Sequence, residues 1–424
     1  MSDEQSPPAR ALPSSVLEVF GAPDPYAVVH HLREAAPVFR VPGIGFWLVT
    51  RHDDVKALFR DTERVTADQR AGAGFRPRPE GTYLRWIQDH GLLAMPDHEH
   101  ARIRRLVSAA FTPRAVRRMD GQIREVVEEF AAPLRGRSGA VIDIAGEYAD
   151  PIPNAVIARI TGVPSEGGDD KRFRQLAHAF IRGVIQFASP EAQDGAEAAL
   201  AELYPWVEKI ARERRAAPRE DLVSDLVQAV DRDATLTDRE IIMLVTSLLA
   251  AGSTTTAMAC TAMVGTLLAR PEVLERIRHD TTLIPGAVEE ILRFAFGGPG
   301  GITRYALRDF TLRDQQIRAG DTLMLSFGGA NRDPAVFDRP DEFDIDRDAR
   351  DLLVFGGGAH YCLGANLARQ ELTCMLEGLL GILTPGSTRR AKSGSRRSGS
   401  LTAIADGEGM GNGLGGGAMW IEIA

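Results

Sequence analysis

The chain has 424 residues, a net charge of -8 and a pI near 5.7, a balance that argues against a dedicated nucleic-acid binder because such a surface repels phosphate. Its three cysteines, Cys260, Cys362 and Cys374, are too few and too unevenly placed for a disulfide framework, which points to a reducing compartment and makes the cytoplasm the expected location. The start, MSDEQSPPARALPSS, lacks a charged segment leading into an apolar one, and no stretch offers about 18 uninterrupted apolar residues, so neither a signal peptide nor a membrane anchor is expected.

In chain order, residues 1–14 read as a disordered N-terminus. Apolar positions at three- and four-residue spacing predict helices over 24–36, 52–60, 98–111, 114–135, 172–187, 190–215, 237–269 and 284–295. Strand signals are few: 38–41 and 46–50 flank a Pro-Gly-Ile-Gly turn, and 322–327 follows an Ala-Gly-Asp turn. The expected fold is mainly α with a small β region, and no internal repeat is visible. The helix over 237–269 is apolar or small nearly all round, as in a helix buried at the centre of a large protein. Its middle holds Gly252 and three consecutive threonines, weak helix formers that mark a functional position.

From 385 to 424 the composition changes. Five basic residues fall within nine positions, and seven glycines lie between Gly407 and Gly417, so this segment reads as an atypical, disordered tail. Within it only MWIEIA (419–424) has the pattern of a strand.

Residues 354–364, VFGGGAHYCLG, place Cys362 behind three glycines and just before a helical pattern, LGANLARQELTCMLEGLL. A thiolate that binds iron needs backbone N–H groups, a helix N-terminus or nearby cations to hold its charge, and this segment offers all three, with His360 and Arg369 available to anionic groups. Phosphate-loop chemistry lacks its Lys-Ser/Thr, zinc lacks a CxxC pair, and Cys260 and Cys374 read as small buried hydrophobes.

The run Phe355 to Gly364 resembles the haem-binding signature of the cytochromes P450, F-G-x-G-x-H/R-x-C-x-G, at every constrained position, and three further segments occur in that family's order. The resemblance spans roughly residues 15–384 and is to soluble bacterial members. It implies a single haem domain of P450 fold, with haem b held by the Cys362 thiolate as metal ligand and by Phe355, Gly356 and Gly364 around it. AGSTT (251–255) resembles the oxygen-activation motif: Ala251 and Gly252 leave room for dioxygen, and Thr255 positions water and passes protons, while Thr254 stands where the family has an acid. For Thr254 and Thr256 a hydroxyl bond to the carbonyl four residues earlier is expected. Glu290 and Arg293 match the family's buried structural ion pair, whose third member is here either Arg339 or Arg347, because Glu342 occupies the usual position. His100, Arg104, Arg304 and His360 match propionate ligands, and Arg102 and Arg105 a docking patch for an acidic ferredoxin.

The implied activity is a monooxygenase acting with O2 on a hydrophobic small molecule, a secondary-metabolite intermediate, with electrons from ferredoxin and its reductase and with no nucleic acid or membrane partner. Two other readings stand beside it: oxidative coupling or desaturation without oxygen insertion, because of Thr254, and a defective, non-enzymatic haem protein, because the family's C-terminal strands are not evident past Thr384. Phe75, Tyr83 and Trp86 either contact substrate or anchor their loop, and GGPGG (297–301) suggests a roomy pocket.

Overall fold

The computed structural model describes residues 11–92, 95, 97–137, 139–162, 169–184, 189–233, 237–384, 386–390 and 419–423. Two short helices, α1 (Val16–Phe20) and α2 (Pro25–Ala35), precede a hairpin of β1 (Val38–Arg40) and β2 (Trp47–Val49), then α3 (His52–Leu58) and β3 (Val65–Thr66). A helical run follows: α4 (Tyr83–His90), α5 (Asp97–Val107), α6 (Pro113–Arg118) and α7 (Asp120–Ala131), with β4 (Val141–Asp143) after it. The body is α8 (Pro151–Thr161), α9 (Asp169–Val184), α10 (Pro190–Ala216), α11 (Leu222–Asp233), α12 (Asp238–Leu268), α13 (Pro271–His279) and α14 (Ile284–Phe294). Strands β5 (Gly301–Ala306), β6 (Phe310–Leu312), β7 (Gln315–Ile317) and β8 (Thr322–Ser326) lead to α15 (Phe327–Asn331), α16 (Ala365–Leu380), β9 (Thr388–Arg390) and β10 (Trp420–Glu422).

The axis of the molecule is α12. Thr237 and Glu240 form a reciprocal capping box at its start, which satisfies two N–H groups that a helix leaves open. The helix then runs through the main core between α8 and α16, buried on most sides. By composition it is apolar enough to cross a membrane; here protein surrounds it.

The five-stranded sheet has the order β1-β2-β8-β5-β3, with β2 and β8 parallel and the other pairs antiparallel. The three expected strands are present with their ends trimmed by one or two residues. The helices depart from expectation in several places, since α1, α4, α11, α13 and α15 are not among the predicted elements. The stretch 114–135 divides into α6 and α7, because Thr112 caps a new helix at Pro113 and the chain turns at Met119. Helix α8 has no counterpart among the predicted elements: every residue except Arg159 is buried, so it shows no amphipathic period, and Pro151 and Pro153 fall in the first turn, where no N–H is needed.

Of the C-terminal segment, Thr388–Arg390 and Trp420–Glu422 enter a three-stranded sheet of order β4-β10-β9, so the strand expected in 419–424 is present and gains a partner from inside the supposed tail. Residues 391–418 lie outside the described residues, as do 1–10 of the N-terminal segment. Met419, Ile421 and Ile423 are buried against the main core. Ile421→Ala is therefore expected to destabilise the protein by about 2–5 kcal/mol, read as a fall in the urea midpoint. An unchanged midpoint would show that β10 adds nothing to the fold.

Candidate active site

Cys362 is placed by a loop that only glycine permits. Gly356 and Gly358 have φ of +70° and +64°, and a Cβ on Gly358 would stand 2.2 Å from the Phe59 carbonyl oxygen. The loop thus lies directly on Phe59, a post that local spacing could not reveal because the two are about 300 residues apart. The Cys362 N–H donates to Phe355 O (2.8 Å), a 3₁₀ turn spans Gly358–His360, and α16 starts at Ala365 behind Gly364.

Burial pushes the Cys362 thiol up, while the Gly364 N–H and the charges of Arg104 and Arg369 pull it back toward the thiolate. The side chain is nonetheless accessible, so it sits on the wall of a concavity. Cys260 and Cys374 are buried, as expected of small hydrophobes. Arg369 is not available to a ligand: its guanidinium pairs with Glu289 and lies 4.4 Å from the Phe355 ring centroid.

Behind the loop stands a buried ion pair. Glu290 and Arg293 are fully enclosed and doubly bonded at 2.7 Å. Arg293 also donates to the carbonyls of Asn331, Pro340 and Glu342. Arg347, not Arg339, is the third member, 3.4 Å from Glu290 and 7% exposed, whereas Arg339 is 58% exposed and pairs with Glu342 and Asp338. The brace reaches the Cys loop through Asn331, whose side-chain oxygen accepts Leu353 N (2.8 Å), while Leu353 O accepts Gly356 N (2.8 Å).

On α12, Ala251 and Thr255 are exposed although most neighbouring residues of that helix are buried, so this face borders a cavity. Thr255 donates to Ala251 O at 2.8 Å, which leaves its oxygen lone pairs for a ligand or water. Thr254 departs from expectation: its hydroxyl is buried and makes no i-4 bond, nor any other. Gly252 does not face the cavity; a Cβ there would lie 3.2 Å from Ile157, so the glycine serves close packing of α8 on α12. Within GGPGG the backbone requires glycine at Gly301, where a Cβ would meet Leu325 O at 1.7 Å in the β5–β8 pairing, whereas a Cβ on Gly300 would meet nothing within 4 Å.

Three of the four expected cationic ligands gather beside the Cys loop. The His100 and His360 rings lie 4.0 Å apart, and Arg104, one turn after His100 on α5, is desolvated and close enough to Cys362 to feel its charge. Arg304 is buried with its guanidinium over Phe59, the post of the same loop. Arg102 is corrected as a docking residue, because it forms a salt bridge with Glu240 at the start of α12; Arg105 is exposed. Tyr83 and Trp86 anchor their segment by packing on Tyr204 of α10.

A thiol on a concave wall with an amide and two cations to hold its charge, imidazoles and guanidiniums beside it, and a small-residue helix face with one hydroxyl together suit an iron porphyrin with carboxylate arms. The fold and this site define a cysteine-ligated haem protein, and the chain belongs to the cytochrome P450 family, whose model matches residues 39–382. It is a monooxygenase of the soluble bacterial type. It is similar to mycinamicin IV hydroxylase/epoxidase of Micromonospora griseorubida, 39% identical over 353 residues that cover 82% of this chain and 85% of the relative. It is also similar to nocardicin C N-oxygenase of Nocardia uniformis subsp. tsuyamanensis, 38% identical over 368 residues, 84% of this chain and 89% of the relative. Among solved structures, CalO2 superposes with a TM-score of 0.81 at 30% identity, over 95% of this chain and 96% of that one. Epothilone D-bound cytochrome P450epoK gives 0.76 at 30% identity, over 87% and 91%.

Glu290→Ala leaves two guanidiniums in the interior without their carboxylate, and is expected to cost about 3–5 kcal/mol of stability in urea unfolding. A loss below about 1 kcal/mol would place the pair among surface-like bridges.

Proposed function

We propose that this chain, loaded with haem b on Cys362, inserts one oxygen atom of O2 into a hydrophobic natural-product intermediate. The observation that carries this is the Thr255 hydroxyl on the exposed face of α12, in a chain whose only accessible thiol among the described residues is Cys362. Bound haem supplies the redox chemistry, and a thiolate ligand favours cleavage of the O–O bond.

The chain's residues divide the remaining work. The Gly364 N–H, Arg104 and Arg369 hold negative charge on Cys362. His100, Arg104, Arg304 and His360 bind the carboxylate arms by charge-assisted hydrogen bonds. Phe355, Gly356 and Gly364 would hold the porphyrin beside Cys362. Ala251 would leave room for dioxygen at the bound group, and Thr255, its own proton committed to Ala251 O, would accept a hydrogen bond from a water that brings protons in. With Thr254 in place of an acid, those protons come through water rather than from a neighbouring carboxyl.

Electrons are supplied by a ferredoxin and its reductase. Exposed Arg105, Arg114, Arg117 and Arg118 support docking of an acidic partner, since α6 packs on α16 and Asn366 of α16 bonds to Phe111 O just before α6. The substrate class rests on the relatives, which are named for hydroxylation, epoxidation and N-oxygenation of natural products. Location in the cytoplasm accords with the soluble relatives.

The orphaned Thr254 hydroxyl favours a second reading, coupling or desaturation without oxygen insertion. Turnover under isotopic dioxygen separates the two: label in the product is expected, and its absence would establish the second. Thr255→Ala should keep the haem spectrum while diverting electrons to hydrogen peroxide. Unchanged coupling would place the proton path elsewhere.

A further inference from the structure

Helix α4 touches α12 at Ala250 and takes little part in the main core. Leu84 packs in a separate small cluster with Phe180, Ala196, Leu200 and Ala250, the residue next to cavity-facing Ala251. A small cluster under a short helix is the kind of unit that opens before the rest of a protein unfolds. Many of its polar contacts are internal to the segment: Arg85 pairs with Asp89, and Gln88 bonds the backbone of Arg76 and Arg78.

What joins α4 to the body comes largely from one face of α10. The Glu197 carboxylate accepts Tyr83 N at 2.7 Å through one oxygen and Leu84 N at 2.8 Å through the other, taking two of the N–H groups that the start of α4 leaves open. One turn earlier, Gln193 accepts from Arg78. Two turns later, Tyr204 receives Tyr83 and Trp86 at ring separations of 5.3 and 5.8 Å. The helix also has its own cap, Thr82, whose hydroxyl accepts Arg85 N. Glu197 is therefore not needed to start α4, and its bonds act between elements.

We infer that Glu197 is a latch: its carboxylate fastens α4 to α10 and so sets how fast small uncharged molecules enter and leave the cavity above Cys362. Each of its two bonds joins an ionised acceptor to helix N–H groups, and both must break for the start of α4 to leave α10. Glu197 is a positioning residue, acting through α4. The inference rests on the proposed haem reading for its kinetic test, and on hydrogen exchange of α4 independently of it.

The test mixes the ferric holoprotein with imidazole and follows the spectral change by stopped flow, comparing Glu197→Ala, Glu197→Gln and Thr82→Ala with the parent. Glu197→Ala is expected to raise both association and dissociation rates about tenfold, with affinity little changed. Glu197→Gln, which keeps one acceptor oxygen, should fall between it and the parent. Thr82→Ala, which weakens the helix's own cap and spares the tie, should change the rates far less. Amide exchange at Tyr83 and Leu84 should rise in the Glu197 variants. Unchanged rates and exchange would overturn the latch, as would a Thr82→Ala effect equal to that of Glu197→Ala, which would mean simple fraying of α4. If imidazole gives no spectral change in the parent, the haem reading fails, and exchange in α4 alone decides the latch.

Discussion

A line of hydrogen bonds from the interior ion pair to the Cys362 backbone is the constraint on which the site depends. Glu290 fixes Arg293, Arg293 holds the Asn331 carbonyl, and the Asn331 side chain holds Leu353 N. Leu353 O then takes Gly356 N, where the loop turns, and Phe355 O takes Cys362 N. A buried pair of charges contributes little net stability against an apolar replacement of equal shape, so its use here is to fix geometry. Arg293 reaches three carbonyls of the chain between α14 and the Cys loop, and Arg347 closes the far side. The thiol is thereby positioned by rigid backbone, while its charge is left to one amide and two guanidiniums.

The side of the site facing α12 is organised differently. There the ordering comes from side chains on α12, and the cavity-facing residues are small or hydroxylic. Of the polar groups on this side, Thr255 bonds within its own helix to Ala251, Arg102 bonds across to Glu240, and the buried Thr254 hydroxyl makes no bond among the described residues. The two sides are thus held by different means, backbone bonds behind the Cys loop and helix packing along α12. Helix α4, with its own small cluster, is the extreme of that division.

What could be read in the sequence was what local spacing controls. The signature around Cys362, the Glu290–Arg293 spacing, and the His100–Arg104 helix face are each set within one or two turns, and the structure pairs Glu290 with Arg293 and sets the His100 ring against His360. What could not be read depends on distant partners. Arg347 and Arg339 are indistinguishable by spacing, and only the path of the chain after α15 brings Arg347 to Glu290. Gly252 looked like room for a ligand until Ile157 of α8 filled the space, and α8 itself was hidden by being apolar on all sides. Arg369 and Arg102 looked free because Glu289 and Glu240 are 80 and 138 residues away. In the C-terminal segment, composition pointed to disorder, yet β10 pairs with β4 on one side and with β9 on the other.

The central claim is that Cys362 presents a thiolate to iron. The absorption spectrum of the reduced, carbon-monoxide-bound holoprotein tests it most directly, because the Soret position reports whether a thiolate binds the iron. The long-wavelength band of thiolate ligation is predicted for the parent and its loss for Cys362→Ser. A parent spectrum with the band at the shorter wavelength of a neutral ligand would contradict the account and favour the reading of a defective haem protein.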